Sequence, residues 1–139
     1  MKGFENVKKN FGFGCMRLPM KGDEVDLEQF QEMVDIFMAE GFNYFDTARV
    51  YLGGKSETAI RECVSKRYKR EDFVLVDKFS NDLFKTEEEV RPLFEKQLES
   101  CGVDYFDIYL LHAQTRSFSK NIKNAAPMSR PSSLRPRAR

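Results

Sequence analysis

The chain has 139 residues, enough for one ordinary domain and too few for two. Its formal net charge of +1 hides an asymmetry. Residues 115–139 hold seven Lys or Arg and no acid, so residues 1–114 hold 16 basic and 22 acidic groups, a net of −6. That composition excludes a uniformly basic nucleic-acid binder.

The charge step divides the chain into 1–114 and 115–139, with the break near Ala113. Cys15, Cys63 and Cys101 are odd in number, far apart and lack metal-ligand spacing, which fits free thiols in a reducing cytosol and no metal site. No apolar run reaches the ~18 residues of a membrane span, and the amino terminus lacks the apolar region of a secretory signal. The expectation is a cytoplasmic protein.

Phe11 to Pro19 reads as a first strand with two glycines, Gly12 and Gly14, set for close backbone approach. Asp26 and Gln29 form a capping box, and Leu27, Phe30, Met33, Val34, Phe37 and Met38 follow at helical spacing until Gly41 stops them. This Met and Phe stripe predicts core packing over a sheet. Phe42 to Asp46 is the second strand, and Ser56 caps a second helix with inner face Ala59, Ile60, Cys63 and Val64. Lys66 to Arg70 is a basic turn, read as a solvated face.

Phe73 to Val76 is an apolar third strand, the pattern of a parallel strand buried on both faces, with Asp77-Lys78 at its end. Thr86 and Glu89 make a second capping box before Val90, Leu93, Phe94 and Leu98, closed by Gly102. Phe106 to Leu111 is the fourth strand, with His112 at its end. Strands starting near 42, 73 and 106 repeat about every 30 residues, the size of a strand–helix unit. The fold class is α/β with a parallel sheet and right-handed crossovers.

Four polar residues fall at or just past strand ends: Asp46, Tyr51, Lys78 and His112. In adjacent parallel strands they share one crevice, where βα-repeat proteins place their chemistry. An ammonium beside a phenol stabilises the phenolate, and a carboxylate holds the ammonium. Such a set suits protonation of a carbonyl oxygen while hydride arrives at its carbon. Alone, each has a blander reading: a turn acid, a half-buried aromatic, a surface lysine, a structural histidine. Gly54-Lys55-Ser56 imitates the end of a phosphate-binding loop, but Arg49 stands where that motif needs glycine, so a nucleotide-triphosphatase is rejected.

These residues resemble the aldo/keto reductase family: Phe45-Asp46-Thr47-Ala48 with Tyr51, Gly53-Gly54 with Ser56-Glu57, Lys78, and Tyr109-Leu110-Leu111-His112, preceded by Gly12 to Pro19 as the opening strand. The likeness covers about residues 10–113. It implies the first half of a (β/α)₈ TIM barrel, truncated after the fourth strand, from an enzyme reducing an aldehyde or ketone with NADPH, or NADH as the alternative. It makes Tyr51 the general acid, Lys78 and Asp46 its tuning pair, and His112 the group that orients a small carbonyl substrate. Gly14, Cys15, Met16 and Asp46 would touch the nicotinamide. Asp77 replaces the small hydroxylic residue common before the lysine, and an acid there would compete with Tyr51 for the lysine's field.

A barrel of this type takes roughly 250 residues, and four strand–helix units are legible here. The switch to a Ser/Pro/Arg-rich stretch reads as truncation or a frame shift. Residues 115–139 are expected to be disordered, with weak polyanion binding at most and no nucleic-acid partner. Open sheet edges expose the half barrel to self-association, and weak or absent catalysis is expected from the lone chain. The competing readings are a non-catalytic half barrel acting only as an assembly, and a basic-tailed binding module.

Overall fold

A computed structural model describes residues 4–80 and 83–112. The expectations for residues 115–139 lie outside them. Six strands, β1 (Gly12–Gly14), β2 (Met20–Lys21), β3 (Glu24–Val25), β4 (Tyr44–Asp46), β5 (Val74–Ser80) and β6 (Ile108–His112), alternate with helices α1 (Leu27–Ala39), α2 (Lys55–Ile60) and α3 (Val90–Cys101). Strands β1, β4, β5 and β6 form one sheet in that order, every pair parallel. The expected parallel sheet is present. The small antiparallel β2–β3 ribbon was not foreseen; Phe11 to Pro19 is a three-residue strand followed by a turn rather than one long strand.

Alternation sorts the sheet into two faces. Phe13, Phe45 and Leu75 are register partners on the helix side. There they join Phe30, Val34, Phe37, Ile60, Cys63, Val64 and Phe73 in the core. Phe37 meets Phe45 edge to face at 5.3 Å, and Phe13 meets both. The opposite face carries Tyr44, Asp46, Val76 and Lys78. Gly12 is required by close approach: a Cβ there would stand 2.5 Å from Cδ1 of Tyr44.

Helix α1 starts as its sequence predicts, with the Asp26 carboxylate accepting from the Gln29 N–H at 3.1 Å. Phe30, Val34 and Phe37 are buried, whereas Leu27 and Met33 are exposed. The other two caps differ. Ser56 lies inside α2, and its hydroxyl donates to the Cys15 carbonyl at 2.8 Å and sits 2.7 Å from the Thr47 hydroxyl. Thr86 makes no side-chain cap; Glu89 instead accepts from the Lys85 N–H. Gly102 ends α3 in the left-handed region (φ 67°), where a Cβ would also strike Arg61.

The basic turn is more than a solvated face. Arg67 forks onto Asp35 at 2.7 and 2.8 Å, and Arg70 binds Asp107 at 2.6 Å while stacking on Tyr105. Strand β5 runs four residues past Val76, so Lys78 lies within it rather than at its end.

Candidate active site

Four elements place the predicted polar set on one side of the sheet. Asp46 ends β4, Lys78 sits in β5, His112 ends β6, and Tyr51 opens the turn that leads into α2. The turn bends through Leu52 at φ 52° and Gly53 at φ 64°. A left-handed leucine is strained, and its side chain packs against the core in return.

The structure brings all four residues together. Nζ of Lys78 donates to Oδ1 of Asp46 at 2.5 Å and to the Thr47 carbonyl at 2.8 Å. The same ammonium lies over the Tyr51 ring, 4.7 Å from its centroid. Tyr51 meets the His112 ring edge to face, with centroids 5.9 Å apart. Lys78 has a side chain only 9% exposed while that of Asp46 is 27% exposed, so the pair spans the boundary between core and crevice. A cation this deep needs partners, and a carboxylate and a carbonyl supply them.

Ser80 was not anticipated. Its hydroxyl lies 3.0 Å from Nδ1 of His112, which fixes the ring, and Nε2 has no hydrogen-bond partner among the described residues. The available signal was its place two residues after Lys78, on the same strand face.

Gly14 ends β1 opposite Asp46, is exposed, and has open space where a side chain would stand. Met16 is 53% exposed beside it. Cys15 points the other way. Its thiol is fully buried in the core, and its N–H donates to the Asp46 carbonyl at 2.8 Å. Burial pushes this thiol's pKa up, and the charge of Asp46 adds to the effect.

Asp77 lies outside the crevice, although the charge of Lys78 reaches it and opposes the rise of its pKa. Neighbours in a strand face opposite sides, and Asp77 turns toward the helices, with Cys101 Sγ 3.9 Å from its carboxylate. There it joins a buried polar cluster. Arg49 binds Glu57 at 2.8 Å, Gln97 donates to Glu57 at 3.3 Å, and Tyr109 donates to Gln97 at 2.5 Å. Burial, then the charge of Glu57, pushes Asp77 up to about 8. Burial also raises Glu57, with Arg49 opposing it. The phenol of Tyr109 is raised by burial and by both acids.

The helix stripe hid Gln97. Val90, Leu93, Phe94 and Leu98 are only partly buried, whereas Gln97, Ser100 and Cys101 are the buried residues of α3. Gln97 follows Leu93 by four and Val90 by seven, so a polar residue in an apolar helix face was the readable sign.

Among the described residues, no group of three or more His, Cys, Asp or Glu side chains is placed to hold a metal. No helix among them is long and apolar enough to cross a membrane.

The model of the aldo/keto reductase family matches residues 10–128. The chain is 35% identical over 106 residues to 4-dihydromethyl-trisporate dehydrogenase of Mucor mucedo, covering 73% of this chain and 30% of that protein. It is 34% identical over 114 residues to a probable NAD(P)H-dependent D-xylose reductase of Aspergillus clavatus, covering 76% and 32%. The holo form of an aldo-keto reductase from Bacillus halodurans superposes with a TM-score of 0.67 at 26% identity, over 85% of this chain and 40% of that one. The chain thus spans about a third of the length of the relatives it matches.

Proposed function

The chain belongs to the aldo/keto reductase family, and on that premise we propose that it carries the proton-donating half of a nicotinamide-dependent carbonyl reductase site. The reading rests on one observation: Asp46, Lys78, Tyr51 and His112 form a continuous set on one sheet face, joined at 2.5, 4.7 and 5.9 Å. Tyr51 gives its proton to the carbonyl oxygen. The Lys78 ammonium, anchored by Asp46 and Thr47, places positive charge over the Tyr51 ring, beside the negative charge that develops there during proton transfer. His112, turned by Ser80, offers Nε2 to the substrate oxygen and sets its approach to Tyr51.

The residues at the mouth of this set fit a flat cofactor ring. Gly14 leaves an uncovered backbone beside Asp46, and Met16 adds an exposed apolar side chain. Cys15 would contribute backbone only, since its thiol is buried. A bound reduced nicotinamide supplies the hydride; NADPH is the proposed form, with NADH the alternative. The substrate class is a small aldehyde or ketone.

The test is NADPH titration by fluorescence together with carbonyl-dependent NADPH oxidation by the full chain and by Tyr51→Phe. Saturable binding by both, with turnover lowered about 10²–10⁴-fold in the variant, is expected for loss of a general acid. Absence of saturable NADPH binding by the unmodified chain refutes the reading.

A second reading, a non-catalytic half barrel that acts only as an assembly, is favoured by the outer edge of β6. No further strand pairs with it among the described residues, and Leu110 and Leu111 are 40% and 51% exposed there. Sedimentation distinguishes the two: self-association without NADPH binding supports this second reading.

A further inference from the structure

The backbone of Lys78 has lost its strand on one side. β4 stays in register with β5 only as far as Asp46 opposite Val76, and the Thr47 N–H adds a last bond to the Val76 carbonyl at 2.9 Å. In a parallel ladder alternate residues turn their N–H and C=O toward opposite neighbours. Leu75 bonds toward the β6 side, through Asp107, so Val76 and then Lys78 face the β4 side. At Lys78 β4 is no longer there. Buried backbone groups without partners are rare and costly.

Two side chains take the vacant places. Oδ1 of Asp77 accepts the Lys78 N–H at 2.7 Å, and Nε2 of Gln97 donates to the Lys78 carbonyl at 3.1 Å. The Gln97 amide has no freedom to turn. Its other N–H reaches Glu57 at 3.3 Å, its carbonyl takes the Tyr109 hydroxyl at 2.5 Å, and the side chain is fully buried. The peptide that carries the lysine is therefore gripped from the helix side while its ammonium works on the other.

We propose that Gln97 and Asp77 are positioning residues: they replace the missing strand at Lys78 and so fix where its ammonium meets Asp46 and Tyr51. This rests on the reading of Lys78 and Tyr51 as partners in proton donation. Without the Gln97 bond, the Lys78 carbonyl is left buried and unpaired, and the peptide plane rotates to find another donor. Rotation redirects the side chain and loosens an ammonium held by two acceptors.

The test uses the full chain with Gln97→Met, which keeps length and apolar volume but neither hydrogen bond, and Tyr109→Phe, which frees the Gln97 amide with the ring packing kept. Val64→Ala, at a fully buried core site whose side chain makes none of these hydrogen bonds, controls for lost packing. Each variant is treated with acetic anhydride, acylation of every lysine is followed by peptide mass spectrometry, and thermal unfolding is recorded alongside. Acylation of Lys78 is expected to rise about tenfold in Gln97→Met and about threefold in Tyr109→Phe, other lysines unchanged, as for loss of one buried hydrogen bond and weakening of another. In NADPH-dependent turnover, kcat falls by a similar factor while KM stays nearly constant.

Lys78 acylation in both variants no higher than in Val64→Ala, compared at equal distance below each midpoint, overturns the proposal. If Gln97→Met does not fold, Tyr109→Phe alone decides. Failure of the catalytic reading has a different signature: Lys78 acylation responds as stated, supporting the grip, while the unmodified chain neither binds nor oxidises NADPH.

Discussion

Asp77 offers the sharpest test of the buried cluster. Its side chain is inaccessible, accepts the Lys78 N–H, and faces Glu57 from α2, Cys101 from α3 and the Tyr109 phenol from β6, with the Lys78 charge opposing the upward shift and Arg49 paired to Glu57 beyond it. Burial and the charge of Glu57 carry it from 3.8 to about 8. The sign follows directly. Between about pH 4 and pH 8 the unfolded chain has lost this proton while the folded chain keeps it, so the folded state binds more protons. Stability contributed by the protonated group is complete below the unfolded pKa and is lost as pH rises through the folded one. One proton corresponds to a slope of about 1.4 kcal/mol per pH unit. Sharing of that proton with Glu57 makes the titration a property of the pair and spreads it. Asp77→Asn keeps an oxygen for the Lys78 N–H and removes the titration. Urea unfolding at pH 5.5, 6.5 and 7.5 should show stability falling with pH in the unmodified chain, and a slope flatter by up to about 1.4 kcal/mol per unit in the variant. The acids Asp26, which is buried, and Asp35, which is half-buried, do not obscure this. Their pKa values are lowered, by the Gln29 N–H and by Arg67 respectively, so their contribution is lost only as pH falls below the ordinary carboxylate range. Equal slopes in the two proteins, or stability rising across this window in the unmodified chain, would refute the reasoning.

Two further outcomes follow from packing and charge. Arg49→Met leaves Glu57, wholly buried, without its cation, and should cost about 2–4 kcal/mol, below the full value for a broken buried pair because Arg49 is partly exposed; urea unfolding measures it, and Arg49→Met with Glu57→Gln should recover much of the loss. Gly12→Ala drives a Cβ into the Tyr44 ring and should cost about 1–3 kcal/mol. Tyr44→Ala in the same chain should remove most of that penalty, read as a coupling in a double-mutant cycle.

The periodic signals carried the fold. A recurrence of apolar strands near 42, 73 and 106, separated by amphipathic segments closed with Gly41 and Gly102, leaves a parallel sheet with crossover helices as the consistent arrangement. The same logic placed Asp46, Tyr51, Lys78 and His112 together, since residues at corresponding points of successive parallel strands share one side and one end of the sheet. Capping was less legible. Asp26 behaves as its box predicts, whereas Ser56 serves as a tie between Cys15 and Thr47, because a buried hydroxyl takes the partners the fold presents to it.

What the order of residues determined by itself was therefore the set of elements, their parallel pairing, and which four polar groups meet at the crevice: each depends on period and spacing along one chain. What only the tertiary structure decided was the face given to Asp77, the fixing of His112 by Ser80, and the convergence of Arg49, Glu57, Gln97 and Tyr109 behind the lysine. Those partners are separated by up to 40 residues, as for Glu57 and Gln97. Their meeting depends on where β4 stops alongside β5, and the length of a strand pairing is settled by the packing of the whole sheet rather than by any local pattern.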